Sequence, residues 1–67
     1  MIDAWFEDHG SICLVRPASP AGEGWIDEYL PEDAMWFGGA VAVEPRYVES
    51  IWSGMVEDGL EVRTDGY

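Results

Sequence analysis

Pro45-Arg46-Tyr47-Val48-Glu49-Ser50-Ile51-Trp52-Ser53-Gly54-Met55-Val56-Glu57-Asp58-Gly59 is the stretch that decides the fold. Tyr47, Val48, Ile51, Trp52, Met55 and Val56 recur at i, i+1, i+4, i+5, i+8 and i+9, the pattern of a helix with one apolar stripe. Pro45 suits the first turn, where its missing N–H leaves no bond unmade, and Gly59 supplies the C-terminal stop. The stripe needs a surface to pack on, and the flanking segments read as strands.

Immediately upstream, residues 34–44 are apolar and rich in Val and aromatic side chains. Gly38-Gly39 interrupts them, reading either as a tight hairpin turn or as a bulge in one long strand. Farther back, Ser19 is an N-cap with Pro20 at the first helical position. Trp25, Ile26, Tyr29 and Leu30 then make a second helical stripe, ended by Pro31. Residues 3–7 and 11–16 read as two strands joined at Asp8-His9-Gly10, and residues 60–63 as a last strand before a tail at 64–67. The expected whole is one α+β domain over residues 1–67: a ββαβαβ-like order with a small antiparallel sheet and two helices packed on one of its faces.

Charge sets the function class. Fourteen Asp and Glu face three Arg (Arg16, Arg46, Arg63) and no Lys, a net charge of -11 in 67 residues, where a small domain needs a magnitude of only about 2 to 8 for solubility. Such self-repulsion destabilises a compact state, and a domain this small buries only roughly 60% of its unfolded surface. The acidity therefore implies a use, and it excludes direct contact with nucleic acid or an anionic membrane. Four Trp, three Tyr and two Phe supply the core. With no run of about 18 apolar residues and no signal-peptide pattern at the N-terminus, the expected location is the cytoplasm. Cys13 is the one cysteine, inside Ile12-Cys13-Leu14-Val15, and reads as a buried reduced thiol.

On a helical wheel Asp27 and Glu28 fall opposite the first stripe, with Glu23 at its flank, and Glu49 and Glu57 fall opposite the second. Glu32 and Asp33 extend the first group. Positions four apart on a helix differ by about 6 Å along the axis, comparable to successive phosphates on one strand, whose rise is about 3.4 Å before the sideways offset. A row of carboxylates can thus imitate a phosphate row. Asp27 and Glu28, and likewise Glu57 and Asp58, sit in the last turn of their helices, where the dipole disfavours anions by about 0.3–1 kcal/mol each. The chain has no Lys for i,i+4 pairs, and Arg46, within reach of Glu49 or Ser50, is the one basic group on the second helix. Placement against local stability points to function. The folded surface should be about 4,200 Å² and an interface takes about 800 Å² from each partner, so evenly spread charge would put only about two net charges in any interface. Imitation of DNA requires the acids to be clustered.

Catalytic patterns are missing. His9 is the sole histidine and reads as a polar turn residue. Gly38-Gly39 fits neither a P-loop nor a dinucleotide fingerprint, and no EF-hand spacing is present. No enzyme activity, cofactor or metal is expected. Trp25 and Trp52 belong to the core by their spacing, whereas Trp36-Phe37 beside the glycines is a candidate exposed hot spot.

Asp8-His9-Gly10-Ser11-Ile12-Cys13-Leu14-Val15-Arg16-Pro17, then Trp36-Phe37-Gly38-Gly39-Ala40, Val43-Glu44-Pro45-Arg46-Tyr47-Val48 and Asp58-Gly59-Leu60 form a layout over most of the chain. It resembles a group of short acidic proteins carried by phages and prophages of proteobacteria. In size and charge the chain is similar to the type I-C anti-CRISPR proteins of that repertoire. The resemblance implies a monomeric inhibitor in the host cytoplasm that blocks target DNA binding by a basic host complex, a type I CRISPR surveillance complex. The contacts expected are Glu23, Asp27, Glu28, Glu32, Asp33, Glu49 and Glu57, with Trp36 adding affinity. The alternative is an acidic interaction protein of another kind, an antitoxin or a modulator of a host DNA-binding protein or nuclease.

Overall fold

A computed structural model of the chain describes residues 1–65. The elements run β1 (Ala4–Asp8), β2 (Cys13–Pro17), α1 (Pro20–Tyr29), β3 (Met35–Phe37), β4 (Ala40–Val43), α2 (Pro45–Glu57) and β5 (Val62–Asp65). Gly38 and Gly39 take φ values of 55° and 82°, the left-handed pair that a two-residue hairpin turn needs. Residues 34–44 therefore fold back on themselves as β3 and β4, and the bulged-strand alternative is not adopted. This hairpin adds a strand to the expected order, giving ββαββαβ.

The α+β class, with two helices on a small sheet, is the architecture observed. The five strands lie in the order β3-β4-β2-β1-β5. Three pairings are antiparallel, and β5 runs parallel to β1, with Ala4 opposite Val62, so the sheet is mixed where an all-antiparallel one was expected. The direction of β5 follows from the connections. β1 and β4 both run antiparallel to β2 and hence parallel to each other, and α2 carries the chain back along the sheet, so β5 starts where β4 started and points the same way. Thr64 and Asp65 belong to β5, where a tail was expected; the rest of that tail, Gly66 and Tyr67, lies outside the described residues.

One face of the sheet carries the core. Phe6, Val15 and Val41 stand opposite one another across β1, β2 and β4 and are almost fully buried, together with Ala4, Cys13 and Val62. Ile26 of α1 and Met55 of α2 enter the same cluster, so both helices cover this face. Trp52 meets Phe6 edge to face, with ring centroids 5.0 Å apart. Burial of each such large side chain contributes about 1.5–3 kcal/mol. Burial also pushes the Cys13 thiol up from its ordinary range, in keeping with an inert core cysteine.

The helix ends behave as their local chemistry dictates. Ser19 Oγ accepts the Gly22 N–H at 3.0 Å and donates to Asp3 Oδ1 at 2.5 Å. Asp3 Oδ2 also accepts the Glu61 N–H at 2.8 Å, so one carboxylate ties the approach to β1 to the start of α1 and to the approach to β5. Gly59, at φ 85°, closes α2: its N–H reaches Val56 O, and Leu60 N–H reaches Met55 O at 2.9 Å, satisfying two terminal carbonyls.

Candidate functional site

The two helices and the turn between α1 and β3 concentrate the charge. Residues 20–34 hold Glu23, Asp27, Glu28, Glu32 and Asp33 with no cation, and residues 44–58 hold Glu44, Glu49, Glu57 and Asp58 with Arg46 alone. Nine carboxylates against one guanidinium put a net -8 of the chain's -11 on this layer. The cause is the two-layer build: each helix turns Ile26 or Met55 into the core, which leaves the intervening polar positions facing solvent. All seven expected carboxylate contacts are exposed.

Their grouping is uneven. Asp27, Glu32 and Trp36 line one depression of about 350 Å³ at the C-terminal end of α1, together with Ile26 and Leu30. Glu28 lies beside Tyr29, and Glu28 together with Asp58 pushes the Tyr29 phenol up from its ordinary range, an effect of local negative potential. Glu23 precedes Asp27 by one helical turn, about 6 Å, and Asp33 sits in the turn closed by Ala34 N–H to Pro31 O. Glu49 and Glu57 stand on the other helix, two turns or about 12 Å apart, with exposed Ser53 between them.

The arginines are engaged elsewhere. Arg16 donates through Nε to Glu7 Oε2 at 2.8 Å and through Nη1 to Gly38 O at 2.7 Å. Arg63 pairs with Glu61 at 2.6 Å. Arg46 does not reach Glu49 or Ser50 as its helical spacing suggests; it turns back to Glu44 at 3.3 Å and lies over the Tyr47 ring, 5.0 Å from the centroid. Thus the cations of the open sheet face hold that face together, and among the described residues only Glu44 of the helix layer has an ion-pair partner.

Trp36 and Phe37 do not form one patch. Trp36 is opposite Val41 and so shares the helix-covered face, while Phe37, opposite Ala40, points to the open one. Trp36 is 45% exposed at the sheet edge, which keeps it beside Asp27 and Glu32. Two features of the site escape sequence reading: the indole N–H of Trp25 bonds Asp58 Oδ2 at 2.7 Å, and an apolar groove of about 500 Å³ lies between the helices. Neither has a local signal, since each needs two segments brought together by the fold.

His9 is exposed in the β1–β2 loop, 3.5 Å from Glu7. Among the described residues no three His, Cys, Asp or Glu side chains are grouped to hold a metal ion, and no helix is long and apolar enough to cross a membrane. No protein-family model, no curated protein and no solved structure matches the chain.

Proposed function

We propose that this protein is a non-catalytic, phage-type inhibitor that occupies a basic DNA-binding surface in place of DNA, with a type I CRISPR surveillance complex in the host cytoplasm as its partner. The observation that carries this reading is the segregation of charge: net -8 on one layer of a domain whose total is -11. The surface area is 4338 Å², so a standard interface of about 800 Å² per partner laid on that layer meets several net charges, where an even spread would offer about two. Channels that hold DNA do so with Lys and Arg against phosphates, and carboxylates at comparable spacing compete for the same cations. Long-range attraction then speeds association and makes it sensitive to salt.

The test is binding of the purified protein to a type I-C surveillance complex, with and without target DNA, at low and high salt. Salt-sensitive binding that competes with DNA supports the reading. Binding unaffected by DNA removes the mimic mechanism, and no binding at low salt removes this partner in favour of another basic host protein.

A further inference from the structure

We infer that the groove between α1 and α2 is the apolar anchor site of this interface, and that its occupant is a basic amphipathic segment of the partner: a leucine-like side chain flanked by Lys or Arg. The inference rests on the anionic-layer reading above and adds the chemistry of what docks there. Trp25 packs so closely on Gly54 that a Cβ there would lie 2.9 Å from the indole ring. Where α2 instead presents Tyr47, Ser50 and Ile51, a groove of about 500 Å³ opens, with Tyr29, Leu30 and Val43 on its walls. That volume lies in the range of binding clefts. Tyr29 and Tyr47 are 58% and 50% exposed, an arrangement of large aromatic side chains suited to an anchor from outside.

Charge selects the occupant. Glu44 is part of the groove wall, Glu28 and Asp58 act on Tyr29, and the layer as a whole is net -8, so a neutral or acidic apolar segment gains nothing from the rim or is repelled by it. The rim already holds a guanidinium: Arg46 rests over Tyr47 and beside Glu44, the ring-plus-carboxylate combination that attracts cations. At the opposite rim a partner's Lys or Arg meets Tyr29 with the carboxylates of Glu28 and Asp58 acting on it, while its neighbouring apolar side chain fills the groove.

The experiment uses two synthetic peptides with the same number of lysines, one amphipathic with leucines and one with serines in their place, titrated into the 15N-labelled protein. The leucine peptide should bind at least about tenfold more tightly, the effect of burying one large apolar side chain, and should shift the Trp25 indole, Tyr29, Tyr47 and Ile51 signals. Ser50→Trp, which fills the groove at an exposed helix position without changing charge, should abolish that preference and leave serine-peptide binding intact. Should circular dichroism show that variant unfolded, Tyr47→Ser, which removes one wall, serves the same comparison. Equal affinities, or shifts confined to Met35 and Phe37 on the open sheet face, overturn the groove proposal while leaving the anionic-layer reading standing. Failure of both peptides to bind at low salt overturns both.

Discussion

The Trp25 indole N–H donates to Asp58 Oδ2 at 2.7 Å, joining the middle of α1 to the C-cap of α2. This bond accounts for an anion that the α2 dipole disfavours. The Glu57 side chain, one residue earlier in the same dipole field, makes no hydrogen bond or ion pair among the described residues, so its cost has no such local compensation.

The two acids should therefore respond in opposite directions. Asp58→Ala is expected to destabilise the domain by about 1 kcal/mol, the usual worth of such a bond. Glu57→Lys should stabilise it by about 0.3–1 kcal/mol. Thermal unfolding followed by circular dichroism resolves the pair, since 1 kcal/mol moves Tm by about 4–8 °C in a domain of this size. Equal shifts in one direction would show that the indole bond contributes nothing.

Gly22 and Gly24 make a second contrast within one helix. A Cβ on Gly22 would collide with the backbone oxygen of Asp3, whereas one on Gly24 meets nothing within 4 Å. Gly24→Ala should gain up to about 1 kcal/mol from helix propensity. Gly22→Ala should lose about 1–3 kcal/mol as α1 is pushed off β1. Urea denaturation of both variants checks this, and a stable Gly22→Ala protein would contradict the close approach.

Acid should weaken the fold through Asp3 and Glu7. The Ser19 hydroxyl and then the Glu61 N–H hold the Asp3 carboxyl below its ordinary range, and the Arg16 guanidinium does the same for Glu7. A depressed folded-state value means stabilisation that is complete above the unfolded value, about 4, and is lost as pH falls through the depressed one. Unfolding free energy should drop below about pH 4, and Asp3→Asn should be less stable at pH 7 with a shallower decline in acid. A variant curve parallel to that of the unaltered protein throughout would exclude Asp3 as a source of the acid sensitivity.

Reversing Asp27 and Glu28 to Lys tests the anionic layer directly. Both are exposed in the last turn of α1, so the double variant should stay folded and gain a few tenths of a kcal/mol or more from the dipole. On the proposed reading, binding of the double variant to a type I surveillance complex should weaken and lose much of its salt dependence. Unchanged binding at low salt would remove α1 from the interface.

Short-range physics made much of this protein legible. The Ser19-Pro20 and Pro45 starts, the Pro31 and Gly59 stops and the two apolar stripes all depend on residues within a few positions of one another, and each helix forms where those residues put it. The strands were legible as types but shifted by one or two residues, because alternation marks a strand and pairing partners set its ends. Asp27, Glu28, Glu49 and Glu57 were legible as solvent-facing from helical periodicity, with Glu23 at the flank of its stripe, whereas Glu32 and Asp33 follow the Pro31 stop, where no period applies.

By itself, the sequence determined the helices, the α+β class, the burial of Cys13 and the excess of negative charge, since each is decided by composition or by neighbours along the chain. Tertiary structure decided the rest. The α2 crossover makes β5 parallel to β1, and the one-sided covering of the sheet gathers -8 on the helix layer. Packing of Trp25 on Gly54 brings its indole to Asp58 and leaves the groove beside Tyr47. Trp25 and Asp58 are 33 residues apart and Ala4 and Val62 farther still, and the groove likewise joins α1 to α2, so no local preference of any one segment contains these relations.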